Sequence, residues 1–180
     1  IPILRPKFQR GDIVVFENAD VDEALKKKNK TPGGYLKRVA GIQGDVIEIK
    51  DGFLWINDQI VDEPYTLKPR STYGGNTVKD CQKVKVPEDK LFVLGDNRKR
   101  SEDSRTLGFI SSKDVKSHLS YREQKQFKSR WRDSTHDKDT ANSTMFDVEK
   151  YIELVNQKRV ENKLKPLRYQ ELLSKSAEKR

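Results

Sequence analysis

A chain of 180 residues with 36% charged side chains, 33% hydrophobic side chains and a net charge of +9 has room for one medium domain and an appended piece, with part of it outside a packed core. No run of 18 apolar residues occurs, so a membrane-spanning helix is excluded within these residues, and the single cysteine, Cys81, excludes an internal disulfide. His118 and His136 offer no metal-ligand spacing, and the basic residues are spread over 26–28, 37–38, 98–100 and 122–132 in different local contexts, with no nucleic-acid-binding module or fingerprint; no metal, cofactor or nucleic-acid partner is expected.

Residues 11–119 read as β-rich. The apolar run 13–16 predicts a short strand, and the polar, lysine-rich residues 20–34 predict a loop. Runs 46–49 and 53–56 alternate in strand fashion around Asp51-Gly52, a hairpin dipeptide, and Asn57-Asp58 marks a second turn into residues 59–61. Residues 68–81, with Gly74-Gly75 inside, read as another loop. Strands are expected at 84–86 and 91–94, parted by Pro87-Glu88-Asp89. Short strands with turn signals and no long helix predict a mainly β fold, an antiparallel sheet or barrel-like arrangement.

Residues 120–143 are rich in both charges and lack periodicity, which predicts a charged linker. The period then becomes helical. Val148, Tyr151, Ile152, Val155 and Arg159 recur at i, i+3, i+4 and i+7, Thr144 and Asp147 can cap the helix, and Pro166 closes it. A second helix is expected near Gln170. The organisation read from the sequence is a β domain over 1–119, a linker over 120–143 and the helical start of a truncated further domain over 144–180.

Two stretches carry chemistry. In "YLKRVAGIQGDVIEI" strand alternation puts Lys37 with Val39 on one face and Leu36 with Arg38 on the other. A lysine facing the interior is desolvated, which lowers its pKa toward that of a general base; the alternative is a surface Lys-Arg pair on an edge strand. In "LFVLGDNRKRSEDSRTLGFI" a strand stops at Gly95 and presents Asp96, Asn97, Arg98, Ser101, Asp103, Ser104 and Arg105 within a few residues. Asp103 and Arg105 can pair locally, leaving the Ser101 hydroxyl to bond a nearby amine. A purely architectural, charge-rich turn is the alternative.

Taken in order, "RGDIVVF", "KRVAGIQGD" and "GDNRKRSEDSRTLGF" resemble the catalytic domain of the type I signal peptidases over residues 7–119, and the pattern GDNRxxSxDSRxxG is matched at every fixed position. The resemblance implies a membrane-bound Ser-Lys endopeptidase that removes signal peptides from exported preproteins on the extracytoplasmic side of the cell membrane. It implies Lys37 as general base, Ser101 as the hydroxyl that orients it, Asp103 with Arg105 and Arg38 with Asp96 as supporting salt bridges, and Asn97, Arg98 and Ser104 as further support. The membrane anchor it implies would lie outside this chain.

Two departures stand out. Gln43 occupies a position where the family carries proline, and the family's Ser-Met-x-Pro nucleophile segment does not occur in the sequence. Either "RGDIVVF" is the strand before the lysine motif and the serine lies upstream of Ile1, or "ILRPKFQRGD" is a degenerate serine segment with Ile3 in the nucleophile's place. The second alignment implies a catalytically dead homologue that binds precursors or anionic wall or membrane polymers.

The C-terminal stretch "VEKYIELVNQKRVENKLKPLRYQELLSKSAEKR" resembles the opening of an SCP-like (CAP superfamily) domain, through Leu-Val-Asn-x-x-Arg and Leu-x-Pro-Leu. That family's site residues would follow Arg180, so the resemblance implies no activity for this stretch. A generic helical hairpin is the alternative.

Overall fold

The computed structural model describes residues 7–142 and 148–167. Ile3, the Thr144–Asp147 cap and the helix expected near Gln170 lie outside the described residues. The chain divides into a first unit, Ile1–Lys138, and a second, Asp139–Arg180.

The first unit opens with strand β1, Ile13–Phe16, and helix α1, Ala19–Lys27. There follow β2, Tyr35–Ile42, β3, Val46–Lys50, β4, Phe53–Ile56, β5, Gln59–Ile60, β6, Val84–Lys85, and β7, Lys90–Leu94. Helix α2, Ser104–Leu107, precedes β8, Ile110–Ser111, and β9, Val115–Leu119. All pairings are antiparallel, in a five-stranded sheet of order β8-β7-β2-β1-β9 and a four-stranded sheet of order β5-β4-β3-β6. The expected mainly β, antiparallel fold is present: among the described residues the strands form two sheets, and neither closes into a barrel. The β3–β4 hairpin turns where the sequence places it, with φ of 57° at Asp51 and 81° at Gly52, the left-handed pair that a two-residue hairpin of this twist requires.

Strand β7 ties the two sheets together. Its residues alternate between two apolar clusters, Phe92 and Leu94 packing with Ile47, Ile49, Leu54 and Ile56, while Leu91 and Val93 pack with Val14, Phe16, Val21 and Val39. A strand buried on both faces is rigid, and the segment that follows Leu94 therefore starts from a fixed point.

Two expectations change. Residues 20–34 contain a helix rather than only a loop: Asn18 Oδ1 accepts from Val21 N at 2.9 Å, Asp20 and Asp22 sit in the first turn of α1, and Lys26 and Lys27 in the last. Only Val21 of α1 is fully buried, so no apolar stripe announced it. The first half of the expected linker is also not one. Gln124 is buried, Trp131 stacks on Tyr121 with centroids 5.7 Å apart, and Arg132 bonds Thr66 O at 3.0 Å and Asp137 Oδ1 at 2.8 Å. Its many charges disguise three or four anchoring side chains spaced without a period.

The remaining helices are α3, Asp137–Asn142, and α4, Val148–Glu161. After α4, the turn around Pro166 is held by two α4 side chains. Asn156 bonds both the N–H and the carbonyl of Leu167, at 2.6 and 3.0 Å, and Arg159 Nε donates to Lys165 O at 2.8 Å. No helix among the described residues is long and apolar enough to cross a membrane.

Candidate active site

Lys37 lies on β2 opposite Val14 of β1, its side chain half-buried. Its Nζ stands 4.8 Å from the Tyr35 ring centroid and donates to the Leu36 carbonyl at 3.2 Å. Burial lowers the pKa of this amine; Asp103 and Glu102 oppose that by attraction, and Lys28 adds to it by repulsion. The amine is therefore easier to deprotonate than an ordinary lysine.

Ser101 is close by. Its Oγ is buried and makes no hydrogen bond, the one such side-chain atom recorded among the described residues. A Cβ placed on Gly95 would collide with Ser101 Oγ and lie 3.7 Å from Lys37 Cδ, so the glycine lets these two side chains approach across one backbone position. The expected Ser101–Lys37 hydrogen bond is not formed here, because the amine is turned onto Leu36 O.

Both expected ion pairs form. Arg38, 4% exposed, grips Asp96 with two bonds, Nε to Oδ1 at 2.9 Å and Nη2 to Oδ2 at 2.8 Å. Arg105 grips Asp103 in the same way, at 2.8 and 2.9 Å, while Asp103 Oδ2 also accepts from Gly95 N at 3.0 Å. Paired forks of this kind fix both planes at once. Ser104 is a backbone fastener, its buried Oγ accepting from Val93 N at 2.9 Å. Asn97 is exposed, and it is its carbonyl that is used, accepting from Arg100 N at 3.1 Å.

Arg98 goes elsewhere. Its guanidinium is buried against Glu63, with bonds of 3.0 and 2.5 Å, and also contacts Thr72 Oγ1 and Gly95 O. Glu63 was not singled out in the sequence. The motif carries three closely spaced arginines at 98, 100 and 105 and commits its aspartates to Arg38 and Arg105, so a buried Arg98 demanded a carboxylate from outside; nothing local said which. Tyr65, which stacks on Arg38 at 3.8 Å, and Gln124 and Trp131 were equally missed. Burial, reinforced by Glu63, holds the Tyr65 phenol well above its ordinary pKa, so that it remains a neutral platform.

A third group, Glu102 between β7 and α2, also faces the lysine. Glu102 accepts from Tyr35 Oη at 2.6 Å and pairs with Lys28, and these bonds lower its pKa. A cavity of about 810 Å³ runs along the motif turn, with walls from Leu67, Lys68, Tyr73, Lys99 and Arg100; neither Lys37 nor Ser101 lines it.

The "Signal peptidase, peptidase S26" family matches residues 5–122. Signal peptidase I S of Bacillus subtilis (strain 168) is 41% identical over 114 residues, 61% of this chain and 55% of that protein. Signal peptidase I of Bacillus licheniformis is 46% identical over 113 residues, again 61% and 55%. A crystal structure of a signal peptidase I from Enterococcus faecalis V583 superposes with a TM-score of 0.49 at 29% identity, covering 64% of this chain and 98% of that one. The chain spans about half the length of the curated relatives it matches.

Proposed function

The chain belongs to the signal peptidase, peptidase S26 family, and from that membership we propose that it carries the lysine half of a Ser-Lys site that cuts signal peptides from exported preproteins. The observation that carries the reading is the half-buried Lys37 amine, its pKa lowered by burial, set against the buried and unpartnered Ser101 hydroxyl.

The chemistry is acyl transfer. The Oγ of a serine in a Ser-Met-x-Pro segment, supplied from outside these 180 residues, attacks the scissile carbonyl while the neutral Lys37 amine takes its proton. The ammonium returns that proton to the leaving amine as the peptide bond breaks. Lys37, neutral again, takes a proton from water as that water attacks the acyl-serine carbonyl, and the ammonium then gives the proton to the serine Oγ as the ester bond breaks and the acid product leaves. Ser101 Oγ accepts a bond from the amine in the working geometry, replacing Leu36 O. Asp103–Arg105 and Arg38–Asp96 hold the two strand ends. Preproteins are the partners, and a membrane anchor outside this chain would hold the domain on the extracytoplasmic side.

For residues 144–180 the proposal is the start of an SCP-like domain. It is supported by Asn156 and Arg159 of the Leu-Val-Asn-x-x-Arg pattern bonding the Leu-Lys-Pro-Leu turn.

The test is cleavage of a preprotein by this chain joined to an upstream Ser-Met-x-Pro segment. Cleavage should occur and should vanish in Lys37→Ala. Full turnover by the folded variant would remove Lys37 from the mechanism.

A further inference from the structure

The family match ends at residue 122, yet the chain beyond it reaches back to the pair beside Lys37. Arg38 Nη1 donates to Gln124 Oε1 at 2.6 Å and to Gly11 O at 2.8 Å. Gln124, 1% exposed, uses its amide nitrogen as well, donating to Gly11 O at 3.0 Å and Leu119 O at 3.3 Å. Trp131 lies 5.9 Å from the Arg38 guanidinium, edge-on to Tyr65 and stacked on Tyr121.

This segment is tied down at both ends. Tyr121 N donates to Asp12 Oδ1 at 2.8 Å, and its ring lies on Gly11, where any Cβ would meet Cδ2 at 2.5 Å. At the other end Arg132 bonds Glu63 O at 3.2 Å, Thr66 Oγ1 at 2.9 Å and, through two nitrogens, Asp137. Without residues 121–132 the Arg38 guanidinium would keep Asp96, Gly11 O and Tyr65 but lose a neutral acceptor and its outer aromatic wall. A buried cation with an open side admits water.

We propose that residues 120–137 are a strap that holds the Arg38 guanidinium, and through it strand β2, in the position from which Lys37 acts; Gln124 and Trp131 are its positioning residues. The inference rests on the reading of Lys37 as general base. Adjacent residues of β2 point to opposite faces, so the strap acts through the backbone: a loosened Arg38 lets β2 shift against β1 and lets water reach the Lys37 amine. The charged and titratable groups facing that amine are Lys28 after α1, Tyr35 on β2, and Glu102 and Asp103 after β7. None of them belongs to the strap, so removing a strap residue leaves those charges in place.

The test needs no catalysis. In this chain, the rate of Lys37 acylation by a small amine-reactive reagent is followed against pH by mass spectrometry, in wild type, Gln124→Ala, Trp131→Ala and Trp131→Phe. The wild-type midpoint should lie below that of the exposed lysines. In Gln124→Ala and Trp131→Ala it should move upward by about half a pH unit or more as solvation returns, and Trp131→Phe should restore most of the shift. Thermal melts show which variants are folded; Gln124→Ala removes no aromatic contact and serves if Trp131→Ala does not fold. A depressed wild-type midpoint that stays put in Gln124→Ala and in Trp131→Ala, or in whichever of the two is folded, overturns the strap. A wild-type midpoint equal to that of the exposed lysines overturns instead the reading of Lys37.

Discussion

Lys37 and Ser101 meet across Gly95 without bonding: the serine hydroxyl is buried and unpartnered, while the lysine amine bonds the carbonyl of Leu36 at 3.2 Å. A buried hydroxyl that bonds nothing costs stability, typically about 1–3 kcal/mol for an unmade bond. Such a group is kept where a second arrangement uses it.

Ser101→Ala therefore separates function from stability. Urea denaturation should show the variant at least as stable as wild type, by up to about 1 kcal/mol. Turnover in the protein joined to a Ser-Met-x-Pro segment should fall strongly. A variant that is clearly less stable would mean that Ser101 already holds the fold through a bond.

Gly95→Ala has the opposite profile. Its Cβ collides with both the Oγ and the Cβ of Ser101, and Gly95 sits directly after a strand buried on both faces, so neither neighbour yields cheaply. A loss of about 1–3 kcal/mol in urea denaturation is expected, as for overpacking in a core. An unchanged midpoint would show that Ser101 can swing away.

Glu63→Ala strips a buried guanidinium of its carboxylate. Arg98 and Glu63 are 1% and 8% exposed in their side chains, and Thr72 and Gly95 offer Arg98 only neutral acceptors. Removing one partner of such a pair costs about 3–5 kcal/mol. Glu63→Ala should therefore be among the most destabilising single changes in the first unit, and a change below about 1 kcal/mol would place Arg98 in contact with solvent.

The lysine also shapes the dependence of stability on pH. Its folded pKa is depressed below the unfolded value of about 10.4, so between the two the unfolded chain binds more protons and stability rises with pH. Below the folded pKa the full penalty of the buried ammonium is present. Lys37→Met should accordingly raise the free energy of unfolding at pH 7, by about 1 kcal/mol at most, with the gain shrinking as pH approaches 11. A gain independent of pH would trace to packing rather than to charge.

Much of the fold is local and therefore legible. Asp51-Gly52 forces the β3–β4 hairpin through its backbone, and the alternation of β7 places its two faces in two clusters. In the site, the pairs Arg38–Asp96 and Asp103–Arg105 follow from a family pattern in which each arginine has an aspartate at a known position. What the sequence hid is long-range or aperiodic. Arg98 finds Glu63 35 residues away, and Arg38 finds Gln124 86 residues away, from within a segment whose charges read as solvated. Helix α1 escaped because it buries one valine and is otherwise marked only by its cap and end charges. The turn of the Lys37 amine onto Leu36 O is a matter of side-chain conformation, which no pattern encodes.

The most direct measurement is an NMR titration of the Lys37 side-chain amine in this chain, assigned with Lys37→Arg. The account predicts a midpoint clearly below about 10.4, the value of a free lysine. A midpoint at or above that value would contradict it, because an amine still protonated at working pH cannot take the proton of a serine.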